Sequence, residues 1–281
     1  MFDAISPSDL TRMHGRAAIT FRRAEGVDRL AHLFQQAPLR VLFPDPPAGE
    51  PPQAALVTTS GGLAGGDRLE LSVEVGSESA GLVVASAAEK VYRSTGPDTT
   101  VDISLRVEAG GWLEVLPQET ILFEGARLRR LTRLELAPDA RALVGEMLVF
   151  GRTAKGERLA TGLVRDAWEI RRTGRLIWAD ALHLDGDLAA RLAAPAGFGG
   201  AVAGATLVLA APDPGLHRDR VRALLDGSGG RAGATVVNGL LVARWLDGDA
   251  ARLRRSFGKV WAALRHAAAG LPERLPRIWE I

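Results

Sequence analysis

Leu69, Leu71, Val73 and Val75 alternate with Glu70, Ser72 and Glu74. Val101, Ile103, Leu105 and Val107 alternate in the same way with Asp102, Ser104 and Arg106. Successive side chains on a strand point to opposite faces, so each run predicts a strand with one buried face. Further apolar or alternating runs predict strands at 17–22, 39–43, 54–59, 82–86, 131–136, 143–150, 164–171, 176–184 and 205–210. Turn-forming segments separate them: the proline-rich 44–52, the glycine-rich 61–67, Gly110 with Gly111, 137–139, and Thr173 with Gly174. Many short strands without helices between them predict a mainly β body.

Helical periodicity enters late. Residues 216–225 form one candidate helix. The clearer one is 250–269, where Leu253, Phe257, Val260, Trp261 and Leu264 fall on one face. Asp249 is placed to cap its start and Gly270 to end it. Such a stripe is first of all a packing face. No fixed-period repeat or convincing linker interrupts the chain, so residues 1–281 are expected to form a single domain.

Composition narrows the chemistry. The 281 residues carry 35 Lys+Arg against 33 Asp+Glu and no cysteine. Thiolate metal sites, disulfides and a thiol nucleophile are thereby excluded. The five histidines lie at least 18 residues apart, so local metal motifs such as HExxH are absent. Charge is too balanced to argue for a nucleic-acid partner. The longest apolar stretch, 201–212, is shorter than the roughly 20 residues that cross a bilayer. The first ten residues lack a secretory pattern, and the expectation is a cytoplasmic protein without a membrane partner.

Four segments stand out. Gly61-Gly62-Leu63-Ala64-Gly65-Gly66-Asp67 has the glycines of a phosphate cradle, but Asp67 and Arg68 stand where a P-loop needs Lys and Ser/Thr. Its glycines suit a turn between strands, or else a surface loop that docks a partner or presents Asp67. Tyr92, the only tyrosine, lies in Lys90-Val91-Tyr92-Arg93-Ser94 and is expected to be buried with its hydroxyl satisfied. Glu114, Glu119 and Glu124 crowd one stretch around Pro117, readable as a solvated strand edge, an acid–base pair or a weak cation path. Glu146 interrupts an apolar strand and needs a partner, for which Arg152 or Lys155 is available.

Taken in order, these segments resemble the UreD (UreH) family of urease accessory proteins. The resemblance rests on the glycine pairs before Asp67, Lys90 to Ser94, Leu113-Glu114-Val115-Leu116-Pro117-Gln118-Glu119 running on to Glu124-Gly125-Ala126, and Glu146 with Gly151-Arg152 and Gly156-Glu157. Leu240-Leu241-Val242-Ala243-Arg244-Trp245 and Pro276-Arg277-Ile278-Trp279 extend it to the C-terminus. It implies stacked sheets in a β-helix-like arrangement with about two helices. It also implies a non-enzymatic scaffold for nickel insertion into apo-urease. That scaffold acts with a UreF-type protein and a UreG-type GTPase, and the GTP belongs to the latter.

No tightly bound cofactor is expected, only nickel in transit. Carboxylates and water bind a borderline cation weakly, which suits a conduit better than a store. The candidate path residues are Asp67, Glu70, Glu119, Glu124, Glu146, Glu157 and Asp180. Phe257, Trp261, Arg277 and Trp279 are the candidate partner-facing residues, since aromatic and Arg side chains anchor interfaces. The competing readings are a β-rich hydrolase using paired glutamates among Glu114, Glu119 and Glu124, and a plain structural module of another assembly.

Overall fold

The computed structural model describes residues 12–280. The single-domain expectation for 1–281 thus includes ends outside the described residues. The chain steps back and forth between two sheets. β1 (His14–Ala24) and its hairpin partner β2 (Val27–Gln36) begin the first, and β3 (Leu39–Leu42) with β4 (Gln53–Thr58) begin the second. β5 (Arg68–Val75) returns to the first sheet and β6 (Ala80–Ala85) to the second, followed by the short β7 (Glu89–Val91). The step repeats with β8 (Thr99–Val107), β9 (Trp112–Leu116) and the short β10 (Glu119–Leu122). It repeats again with β11 (Arg127–Leu136) and β12 (Arg141–Phe150). β13 (Thr161–Arg172) and its antiparallel partner β14 (Arg175–Asp187) then finish the first sheet.

After the short helix α1 (Leu188–Ala193), β15 (Ala203–Ala210), β16 (Arg231–Val237) and β17 (Leu240–Asp247) complete the second sheet in antiparallel fashion. Helix α2 (Gly215–Leu225) connects β15 to β16, and α3 (Ala250–Ala269) follows β17. The repeated coils leave β1, β5, β8, β11 and β13 parallel to one another, and likewise β4, β6, β9 and β12. Here is the β-helix-like stack that the resemblance implies, flanked by a small number of helices.

Each sheet's pattern follows from what covers it. The first sheet has one wet face. Leu69, Leu71, Val73 and Val75 are buried towards the second sheet, while Glu70 and Glu74 point outward into ion pairs. The second sheet is covered on both faces, so its strands read as near-continuous apolar runs. Ala142 and Val144 of β12 pack towards the first sheet; Leu143 and Met147 pack towards the helices. Helix α3 presents Leu253, Phe257, Val260, Trp261 and Leu264 to that outer face, all buried. The Asp249 carboxylate accepts from the Ala251 and Arg252 amides, and Gly270 ends the helix at φ 67°.

The glycine loop is stitched to β7. Leu63 N–H donates to Lys90 O at 2.7 Å and Tyr92 N–H donates to Leu63 O at 2.8 Å. A Cβ on Gly62 would lie 2.6 Å from the Tyr92 ring and 2.9 Å from Lys90 O, so only glycine fits there. The Tyr92 hydroxyl donates to Gly61 O at 2.9 Å.

Candidate functional site

Between the sheets lies a cavity of about 290 Å³. Leu39, Leu71, Val83, Leu105 and Val115 make most of it apolar. It reaches the surface where the exposed Gly61, Ala87 and Lys90 line it. A second chamber of about 480 Å³ opens between β13–β14 and β12–β15–β17. The ion pair Arg244–Asp180, 2.5 Å, lies at its exposed side. Glu146 lines both chambers, with Arg130 on the first and Asp166 on the second.

Strand register brings these three together. On β11 the inward positions are Leu128, Arg130, Thr132, Leu134 and Leu136; on β13 they are Val164, Asp166, Trp168 and Ile170. Arg130 and Asp166 are direct neighbours across the two strands, and β12 supplies Glu146 from the opposing sheet. Arg130 Nε donates to Asp166 Oδ1 at 2.9 Å, with Nη2 donating to Asp166 Oδ2 and, at 3.0 Å, to Glu146 Oε2. Arg130 Nη1 donates to Thr120 Oγ1 at 3.1 Å. The three side chains are nearly inaccessible to solvent. Beside them, the Trp168 indole N–H is buried without a hydrogen bond of good geometry.

Burial pushes the Glu146 carboxyl well above the ordinary 4.5, and the Asp166 charge adds to the push; the Arg130 guanidinium works against both. Burial alone would lower the Arg130 pKa, but Asp166 and Glu146 outweigh it and raise it. The folded chain therefore holds the Glu146 proton more tightly than the unfolded chain. That stability is complete below about pH 4.5 and is lost as pH rises through the elevated folded value. Glu146→Gln is expected to flatten this decline. Thermal melts at stepped pH check it; parallel pH slopes for the two proteins would refute it.

The other candidate residues lie apart. Asp67 is buried and accepts from Met13 N at 2.9 Å and Ala64 N at 2.7 Å, which fixes the glycine turn. Glu70 sits on the outer face of the first sheet against His14, Arg16 and Arg68. Glu119 pairs with Arg254 of α3 at 2.7 Å. Glu124 accepts from Ala160 N at 2.5 Å and Thr161 Oγ1 at 2.7 Å. Glu157 pairs with Arg152. Of the seven, Glu146 and Asp180 share a chamber. Among the described residues, no group of three or more His, Asp or Glu is arranged to hold a metal ion.

Three expectations are corrected. The partner of Glu146 is Arg130, not Arg152 or Lys155: Glu146 faces inward in mid-strand, while Arg152 lies beyond the strand end and turns to Glu157. Residues 113–126 are not a solvated edge. β9 lies inside the second sheet between β6 and β12, and Glu114 is fully buried there. Phe257 and Trp261 have no exposed surface and Trp279 is buried, so all three belong to the chain's own core; Arg277 is exposed. Trp279 Nε1 donates to Pro117 O at 2.6 Å, and the Arg254 guanidinium stacks 3.9 Å from its ring centre.

A second buried charge cluster was not anticipated either. Arg265 of α3 donates from Nε to Glu114 Oε1 at 3.0 Å and from Nη1 to Glu50 Oε1 at 3.2 Å. Arg265 Nη1 also reaches Pro272 O at 2.9 Å and Arg274 O at 3.2 Å. Burial raises Glu114 despite Arg265, whereas Arg265 and Arg274 outweigh burial at Glu50 and hold it low. Arg130 and Asp166 were missed; the signal that could have found them is that each shares the parity of buried strand neighbours, Leu128 and Thr132 for the one, Val164 and Trp168 for the other. Arg265 hid as a charge at the edge of the buried helical stripe.

The geometry is that of a parallel β stack with buried ion clusters, closed by a helical layer. Residues 13–280 match the family of the UreD urease accessory protein. The chain is 47% identical over 274 residues to the urease accessory protein UreD of Magnetococcus marinus, covering 96% of this chain and 94% of that one. It is 44% identical to the UreD protein of a Methylobacterium species over 275 residues, 96% and 95% of the two chains. For the UreD protein of Azorhizobium caulinodans the values are 40% over 272 residues, 96% and 97%. This chain belongs to the UreD family, whose members are accessory proteins rather than enzymes. Among the described residues, no helix is long and apolar enough to cross a membrane.

Proposed function

We propose that the chain is the cytoplasmic scaffold on which apo-urease receives nickel, acting with a UreF-type protein and a UreG-type GTPase. In this reading Ni²⁺ is cargo and crosses the protein between the two sheets. The observation that carries it is the junction of the two chambers at Glu146, where charged groups occupy an otherwise apolar interior. Asp180 at the outer side of the second chamber extends the polar line. Carboxylate and hydroxyl oxygens are weak, fast-exchanging donors for a borderline cation, as transit demands. Glu119, Glu124 and Glu157 support the walls through their pairing rather than by touching the ion.

The hydrolase reading lacks its geometry. Glycosidase chemistry needs two carboxyl groups about 5–10 Å apart facing one cleft. Glu114 is held by Arg265 behind the sheet, Glu119 by Arg254, and Glu124 by the 160–161 backbone.

The test is the nickel content of urease loaded by complexes carrying Glu146→Gln with Asp166→Asn. At least a tenfold slower gain of nickel is expected, with partner binding unchanged. Loading at the normal rate by a folded double variant would overturn the passage.

A further inference from the structure

We infer that Arg130 is the gate of this passage: its guanidinium occupies, between Asp166 and Glu146, the place that a divalent cation takes in transit. The inference rests on the nickel-passage reading. Both carboxylates are engaged by one fork, through Nε and Nη2, so neither presents a free pair of oxygens while Arg130 stays. A dication beside that guanidinium would meet a like charge in a site nearly closed to water, where such repulsion is least screened. Cation and guanidinium therefore take turns.

The structure gives the side chain somewhere to go. Arg130 lines the first chamber, and its Nη1 is already turned to Thr120, which lines the same chamber. Withdrawal to that side lets one dication neutralise the Asp166 and Glu146 carboxylates in place of one monocation, a proton held on Glu146 leaving to water in the chamber as the dication enters. Return of the guanidinium restores the ion pair and expels the ion. Arg130 thus keeps two buried carboxylates from becoming a store, and the Trp168 indole N–H, buried beside Glu146, is a further donor to that carboxylate.

The experiment uses the complex with the UreF- and UreG-type partners, dialysed to equilibrium against a fixed concentration of Ni²⁺. Metal is counted by mass spectrometry. The Arg130→Gln complex is expected to retain about one more nickel per chain than the unaltered complex. That extra nickel is expected to vanish when Glu146→Gln and Asp166→Asn are added. Arg130→Lys, whose ammonium is a point charge rather than a fork, is expected to retain an intermediate amount.

No extra nickel in a folded Arg130→Gln complex overturns the gate, as does extra nickel that survives loss of both carboxylates. If Arg130→Gln does not assemble, Arg130→Lys decides: retention equal to the unaltered complex overturns the gate. The two readings fail separately. Normal loading by Glu146→Gln with Asp166→Asn removes the passage itself, whereas impaired loading by that variant without retention in the Arg130 variants removes only the gate.

Discussion

Arg265→Met is expected to destabilise the chain by about 3–5 kcal/mol, the cost of leaving one side of a buried ion pair uncompensated. Arg265 and Glu114 have no exposed surface, and the pair joins the middle of the second sheet to the second turn from the end of α3. Glu50 keeps a partner in the variant, since Arg274 Nε donates to it at 2.9 Å. Glu114 keeps none. Its removal as well, in Arg265→Met with Glu114→Leu, is expected to recover most of the loss, because an apolar pair of similar volume tolerates the site better than a lone charge. Denaturant unfolding of the three proteins checks this. Equal stability of the single variant and the original chain would show that water reaches Glu114.

Trp261→Ala is expected to cost about 3–5 kcal/mol, and Trp261→Phe less than about 1.5 kcal/mol. Trp261 is the largest fully buried side chain, stacked on Phe257 with ring centres 5.9 Å apart. Truncation to Ala empties the centre of the layer between α3 and the second sheet. Phenylalanine refills most of it, and no hydrogen bond is lost because the Trp261 indole N–H is buried without an acceptor. Thermal unfolding separates the two variants. A surface anchor would behave otherwise: its truncation would leave the melting point in place and weaken partner capture instead. An unchanged melting point for Trp261→Ala would return this residue to the interface.

The strands that the sequence announced are those with one wet face or a long apolar run. β5 and β8 alternate because water covers one side of the first sheet. β12 and β15 are apolar over most of their length because helices cover the second. β2 escaped notice because it is an edge strand largely exposed on both sides, with Val27 52%, Leu30 38% and Phe34 43% accessible. Alternation has no reason to develop there. β9 was hidden by Glu114, which reads as polar and therefore outward, although its face is covered by α3. The site was partly legible. Glu146 was marked by the apolar strand around it, whereas Arg130 and Asp166 went unmarked: Arg130 precedes the strand expected at 131–136, and Asp166 is one of several charges in the strand expected at 164–171. What no local pattern shows is that strands separated by a full coil set those three side chains together.

The back-and-forth course of the coils fixes the order in which surfaces are covered as the chain leaves the ribosome. The first sheet is complete once Asp187 has emerged, since β14 is its last strand. At that moment β12 is an open edge of the second sheet, and Leu143, Met147 and their neighbours face water, awaiting β15 to β17 and α3. Glu114 then waits for a counter-charge 151 residues further on. A nascent chain in this state carries a bare parallel edge beside a bare apolar face, the combination that recruits other chains. The last third of the polypeptide thus acts, during synthesis, as the cover for the part already made, and a ribosome stalled between β14 and α3 would release a product prone to aggregate.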